Sequence, residues 1–198
     1  MITNDILQFA PFVQGVFTNE AARDAAITSP TEGMHAYITA STVAAATGTT
    51  TAVPTGVQTI YNGTNWVCVT PVAARSETAA TTTTTPYVTT LTGDATAISV
   101  TLVTGTTAKI ELFATVGNST LGAVNHLAFS VSGATTVAAN QNTGAYANEP
   151  VAAYALGLGR TIVLTGLTAG TNTFTLSYGT SAGTLTYVSR TLTVQGIA

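Results

Sequence analysis

TNTFTLSYGTSAGTLTYVSRTLTV, residues 171–194, holds the clearest pattern in the chain. Phe174 and Leu176 share one parity, while Thr173, Thr175 and Ser177 share the other. Alternate side chains of an extended strand point to opposite faces, so this strand has one apolar face and one hydroxylated face. Phe174 and Leu176 are therefore expected between two sheets. GTSAG, 179–183, interrupts the alternation and reads as a hairpin loop. On the return, Leu185 and Tyr187 occupy odd positions but Leu192 and Val194 occupy even ones. A period-two strand cannot change parity without an extra residue, which predicts a bulge or bend around 188–190.

The same alternation recurs upstream. Ile98, Val100 and Leu102 form one run. Ile110, Leu112, Ala114 and Val116 form another, with Lys109, Glu111 and Phe113 on its opposite face. Leu127, Phe129 and Val131 form a third, and Ile162 with Leu164 leads through the turn LTAG, 167–170, into the opening stretch. Threonine is abundant throughout, and its branched β-carbon favours strands over helices. Short alternating strands separated by glycine-rich turns predict an all-β, antiparallel sandwich over 87–198.

The N-terminal part reads differently. AARDAAITSPTEGMHAYI, 21–38, begins with a short alanine-rich piece that predicts a helix over 20–27. Thr18 or Asn19 can cap it, Glu20 complements its positive end, and Pro30 stops it. So short a helix is not stable alone in water, so it must dock. A strand over 35–39 and a small-residue loop over 44–56 follow. VQTIYNGTNWVCV, 57–69, reads as a hairpin whose tight turn uses Asn62 and Gly63. Trp66, the single tryptophan, is the expected core of this small module. Residues 73–85, AARSETAATTTTT, lack apolar periodicity and read as an extended linker. The expected division is an N-terminal module at 1–72, a Thr/Ala-rich linker at 73–86 and the sandwich at 87–198.

Composition narrows the function. Charged residues are 7% of the 198, against roughly 25% in an average soluble domain. With Lys109 the sole lysine and a net charge of -3, there is no basic stripe to neutralise phosphates, so nucleic acid is not an expected partner. A surface poor in charge and rich in Thr, Ser and Ala suits a protein covered by copies of itself or by an assembly. Cys68 is the single cysteine, which excludes an internal disulfide. MITNDILQF lacks the basic and apolar regions of a secretory signal, and no run approaches the roughly 18–20 apolar residues of a membrane span. The chain reads as one folded in a cytoplasm, without a membrane partner.

Candidate chemistry is sparse. GTSAG matches the G-x-S-x-G nucleophile elbow, but that elbow needs a helix after Ser181, and a strand pattern follows instead. Both histidines, His35 and His126, also precede the serine. GLGR, 157–160, opens like a dinucleotide fingerprint but has Ile162 where the third glycine belongs, and it reads as a loop. No histidine has Cys or carboxylate neighbours at ligand spacing, although a threefold axis could gather three copies of His126. Asp94, Glu111 and Glu149 are too scattered for a glycosidase pair. No catalytic residue, cofactor or metal is expected, and Cys68 reads as a buried inert thiol. Tyr146 and Tyr154, in the stretch 140–160, which reads as loop-rich, are the aromatics nominated for a ligand contact.

Two groups of motifs resemble known proteins. ARDAAITSPTEGMHAYI, 22–38, followed by VQTIYNGTNWV, 57–67, resembles a module recurring in structural proteins of tailed bacteriophages. LAFSVSGATTVAA (127–139), TIVLTGLTAGTNTFTLSY (161–178) and GTLTYVSRTLTV (183–194) look like the jelly-roll-like domain that ends many phage appendage proteins. The resemblance implies a non-enzymatic virion protein, commonly a homotrimer, made in the bacterial host cytoplasm and displayed on the virion surface. Its partners would be the major capsid protein or tail components. The leading expectation is a capsid decoration protein or short head fibre, anchored through 1–72. The alternative is a tail-associated minor tail or receptor-binding protein touching a host surface glycan or protein.

Overall fold

The order in which strands pair explains the architecture. The computed structural model describes residues 15–52, 54–85 and 87–198. Its N-terminal part contains β1 (Gly15–Phe17), α1 (Glu20–Ala26), β2 (His35–Ile38), β3 (Ala45–Thr47), β4 (Thr50–Ala52), β5 (Val57–Tyr61) and β6 (Trp66–Cys68). There follow β7 (Val72–Ser76), β8 (Ala80–Thr82), β9 (Ser99–Thr104), β10 (Thr107–Asn118), β11 (Val124–Gly133) and β12 (Gly144–Asn148). The chain closes with β13 (Leu156–Thr165), β14 (Gly170–Thr180) and β15 (Leu185–Ile197).

Antiparallel pairs nest inside one another: β11 with β12, β10 with β13, β9 with β14, and β7 with β15. This is one long hairpin, and it rolls up when β10 also pairs with β15 and β11 with β14. The result is two facing sheets, β13-β10-β15-β7-β4 and β12-β11-β14-β9-β3, with β8 attached to β15. An eight-strand roll extended by edge strands is a jelly-roll sandwich.

The alternating residues fill the space between these sheets. Ile110, Leu112, Ala114, Leu192 and Val194 are buried from one side, and Val100, Leu102, Leu127, Phe129, Phe174 and Leu176 from the other. The rings of Phe129 and Phe174 lie 6.2 Å apart. The change of parity in β15 is absorbed by a bulge: Thr115 faces Ser189, Val116 faces Tyr187, and Val188 is the extra residue. Arg190 consequently points inward. Its Nη2 donates to Asp94 Oδ2 at 2.6 Å, to Ser76 Oγ at 2.8 Å and to the Thr78 carbonyl at 2.9 Å. Its guanidinium carbon also stands 5.6 Å from the centre of the Tyr178 ring.

The expected linker does not exist as such. Residues 73–85 contain most of β7 and all of β8, both hydrogen-bonded to β15. Val72, Ala74 and Ser76 are buried, alternating with less buried Ala73 and Arg75. That alternation is carried by alanine and serine, too small and mildly polar to register as apolar periodicity. The expected loop over 44–56 likewise contains β3 and β4, which extend one sheet each. The boundaries at 72 and 86 therefore cut through one unit, because the roll begins at Val72. Ile38, Val57 and Cys68 join the same core as Val72 and Val194.

The N-terminal strands form a separate sheet, β1-β2-β5-β6, with β1 parallel to β2. At the β5–β6 turn, Asn62 Oδ1 accepts from the Thr64 and Asn65 amides at 3.1 and 2.8 Å, and Gly63 has φ +88°. A residue with a β-carbon is strained at that angle. The charges of α1 dock it. Asn19 caps Ala22 N at 2.9 Å. The buried Glu20 carboxylate accepts from Ser41 Oγ at 2.6 Å, Thr42 Oγ1 at 2.8 Å and Thr42 N at 3.0 Å. Arg23 lies 4.7 Å over the ring of Trp66, which is only 9% exposed. A cation over an indole adds to the burial of both.

The GLGR segment also departs from expectation, lying inside β13. Its glycines make room for Phe113: a β-carbon on Gly159 would stand 3.2 Å from that ring. Arg160 shares the inward parity of β13, and its Nη1 donates to the Gly144 carbonyl at 2.8 Å, joining the edge strands of the two sheets. An inward-turned charge on an edge strand discourages unwanted strand addition there.

Candidate ligand-contact surface

The five-stranded sheet contains no Asp, Glu, Lys or Arg in any strand. Its outer face carries Ser99, Thr101, Ser130, Ser132, Thr173 and Thr175, and the Thr101 and Thr173 hydroxyls meet at 2.8 Å. At one end this hydroxylated face turns aromatic. Register places Tyr146 of β12 opposite His126 of β11, with Gly179 of β14 on the other side of His126. Ala145 and Ala147 pack against the core, so Tyr146 and Asn148 face outward. Val88 bridges to Tyr178, which brings Tyr87 alongside β14.

Three rings therefore form a row. Tyr87 and His126 lie 5.6 Å apart edge-on, and His126 and Tyr146 lie 6.2 Å apart. Tyr87 Oη is 3.3 Å from His126 Nδ1. The His126 carbonyl accepts from Tyr187 Oη, which fixes that strand against the core. Burial lowers the His126 pKa from its ordinary value, which favours the neutral imidazole. Burial raises the Tyr87 phenol. Tyr146 is 57% exposed at the end of the row.

Tyr154 belongs elsewhere. It is 55% exposed in the turn before β13, between Ala153 and Ala155, which line a cleft of about 340 Å³ with Asn118 and Val188. The structure groups Tyr146 with His126 and Tyr87 instead. Tyr87 had no signal in the sequence, since only the register of the 87–88 segment against β14 brings it to His126.

The other candidates are occupied structurally. Ser181 lies in the β14–β15 hairpin, where its Oγ accepts from Val124 N at 2.8 Å and its amide donates to Val124 O at 3.0 Å. Glu149 is buried, and its Oε2 accepts from Asn118 N at 2.9 Å and Asn125 Nδ2 at 2.8 Å. Glu111 pairs with Lys109 at 2.7 Å. The Cys68 thiol is buried and its pKa raised by that burial. His35 Nδ1 is 2.9 Å from Gln58 Nε2. Among the described residues, no group of three or more His, Cys, Asp or Glu could hold a metal ion, and no helix is long and apolar enough to cross a membrane.

No family model and no curated protein matches the chain. Solved structures similar in fold include the Eiger TNF of S. frugiperda, with a TM-score of 0.44 and 8% identity over 64% of this chain and 92% of that one. The infectious bursal disease virus VP2 subviral particle is another, at TM-score 0.46 and 13% identity, covering 73% of this chain and 43% of that one. A Clostridium thermocellum structure comprising the CBM22-1 and GH10 modules of xylanase 10B has a TM-score of 0.35 and 14% identity over 62% of this chain and 27% of that one.

Proposed function

We propose that this chain is a non-enzymatic structural protein of a tailed-bacteriophage particle, a homotrimeric decoration protein or short head fibre on the capsid surface. One observation carries the reading: the chain has few charges, and the fold buries or pairs many of those it has. The sequence has five basic and eight acidic side chains, and Glu20, Arg23, Asp94, Glu149 and Arg190 are buried. Arg75 and Glu77, at 3.5 Å, and Lys109 and Glu111, at 2.7 Å, neutralise each other on the surface. Val16, Leu121, Val151, Val163 and Val188 are exposed. Such a surface favours association over free solution. The motifs of 22–67 and 127–194 supply the phage context.

A second reading, a tail-associated protein that contacts a host surface, draws on the outward-facing Tyr146 row. Gold-labelled antibody against the purified chain, applied to phage particles that encode it, separates the two. Capsid labelling is the expected result. Labelling of the tail tip alone favours the second reading, and unlabelled particles contradict both.

A further inference from the structure

We propose that the outer face of β11 and β12 binds a neutral saccharide, with Tyr146 as the stacking platform. The inference deepens the second reading above and names its ligand chemistry. The platform is backed as well as exposed: the Tyr146 ring lies 6.2 Å from that of His126, whose Nδ1 meets the Tyr87 hydroxyl and whose carbonyl is held by Tyr187. A ring with a neighbour behind it has less conformational freedom to lose on binding. Polar groups stand beside it. Asn148 is exposed two residues along the same face, offering an amide donor and acceptor. The His126 imidazole has a second ring nitrogen besides the one facing Tyr87.

Charge selects the ligand class. The strands of this sheet hold no Asp, Glu, Lys or Arg, and Arg160, which reaches β12 from β13, is bound to the Gly144 and Asn142 carbonyls, so the strands themselves offer an ionic ligand no counter-charge. The same face sets the exposed Tyr146 ring beside the exposed Asn148 amide. A pyranose fits both properties, since its C–H face covers an aromatic ring while its hydroxyls bond to amide and imidazole.

Saturation-transfer difference NMR on the full chain tests this, using cellohexaose, maltohexaose, chitohexaose and mannohexaose as probes and hyaluronan as the anionic comparison. The expected result is transfer to the ring C–H protons of at least one neutral hexaose. Tyr146→Ala should weaken that binding by about tenfold or more, as removal of a central aromatic anchor does. Tyr146→Phe, which keeps the ring, should stay near the parent affinity, and Tyr154→Ala should leave it unchanged. Absence of transfer from every neutral probe overturns the proposal. So does transfer from hyaluronan alone, or an equal loss in Tyr154→Ala. The capsid-surface reading is untouched by those failures, because particle labelling tests it separately.

Discussion

Asp94→Ala is expected to destabilise the protein by about 3–5 kcal/mol, the range for removing one partner of a buried ion pair. The Arg190 side chain is 0% exposed and that of Asp94 is 5% exposed, so solvent screens the pair little. Removing the carboxylate leaves a buried guanidinium facing Ser76 and the Thr78 carbonyl without its counter-charge. Replacing both members by apolar residues of similar volume should cost far less, because the desolvation of both charges is then avoided. Urea unfolding of the single and double variants checks the difference. A matching pH effect follows. Burial alone would raise the Asp94 pKa, but the Ser76 hydroxyl, the Thr96 amide and Arg190 outweigh it and hold the carboxyl below its ordinary value. The folded state therefore binds this proton less readily than the unfolded chain does. The stabilisation is present above the unfolded value of about 3.9 and is lost as pH falls through the lower folded value. Urea unfolding from pH 7 down to pH 3 should show that decline, and Asp94→Ala should reduce it.

Phe174→Ala should cost a comparable 3–5 kcal/mol, for a different reason. Phe174 is fully buried against Phe129, and truncation removes apolar burial and leaves a cavity between sheets that collapse only partly. Thr175→Ala, one residue along on the outer face, should cost under about 1 kcal/mol. Protein concentration must be fixed in both measurements, since association adds to apparent stability. Equal damage from the two substitutions would mean that another subunit covers the outer face at Thr175.

The parts of the fold legible in the sequence are those in which large apolar residues alternate with small polar ones. Phe174 and Leu176 declare their strand, and the parity change from Tyr187 to Leu192 locates the bulge at Val188. The first strand of the roll was invisible for a matching reason. Its inward residues are Val72, Ala74 and Ser76, and two of the three carry almost no apolar contrast against their neighbours. GLGR misled because glycine usually marks a loop, whereas Gly157 and Gly159 serve here as the bed for Phe113. Buried charges were equally silent. Arg190 and Arg160 look alike in sequence, yet the bulge turns one into the core and an edge position leaves the other reaching across to Gly144. Of the candidate site, Tyr146 was identifiable as an aromatic in a stretch that reads as loop-rich, whereas it lies in β12, and its pairing with His126 and Tyr87 depends on strand register.

The proposed homotrimer would cover this charge-poor surface with copies of the chain. Multi-angle light scattering of the purified full-length protein at micromolar concentration tests it most directly. The expected result is a single species at three times the 20.0 kDa chain mass. A stable, soluble species at 20.0 kDa would contradict it.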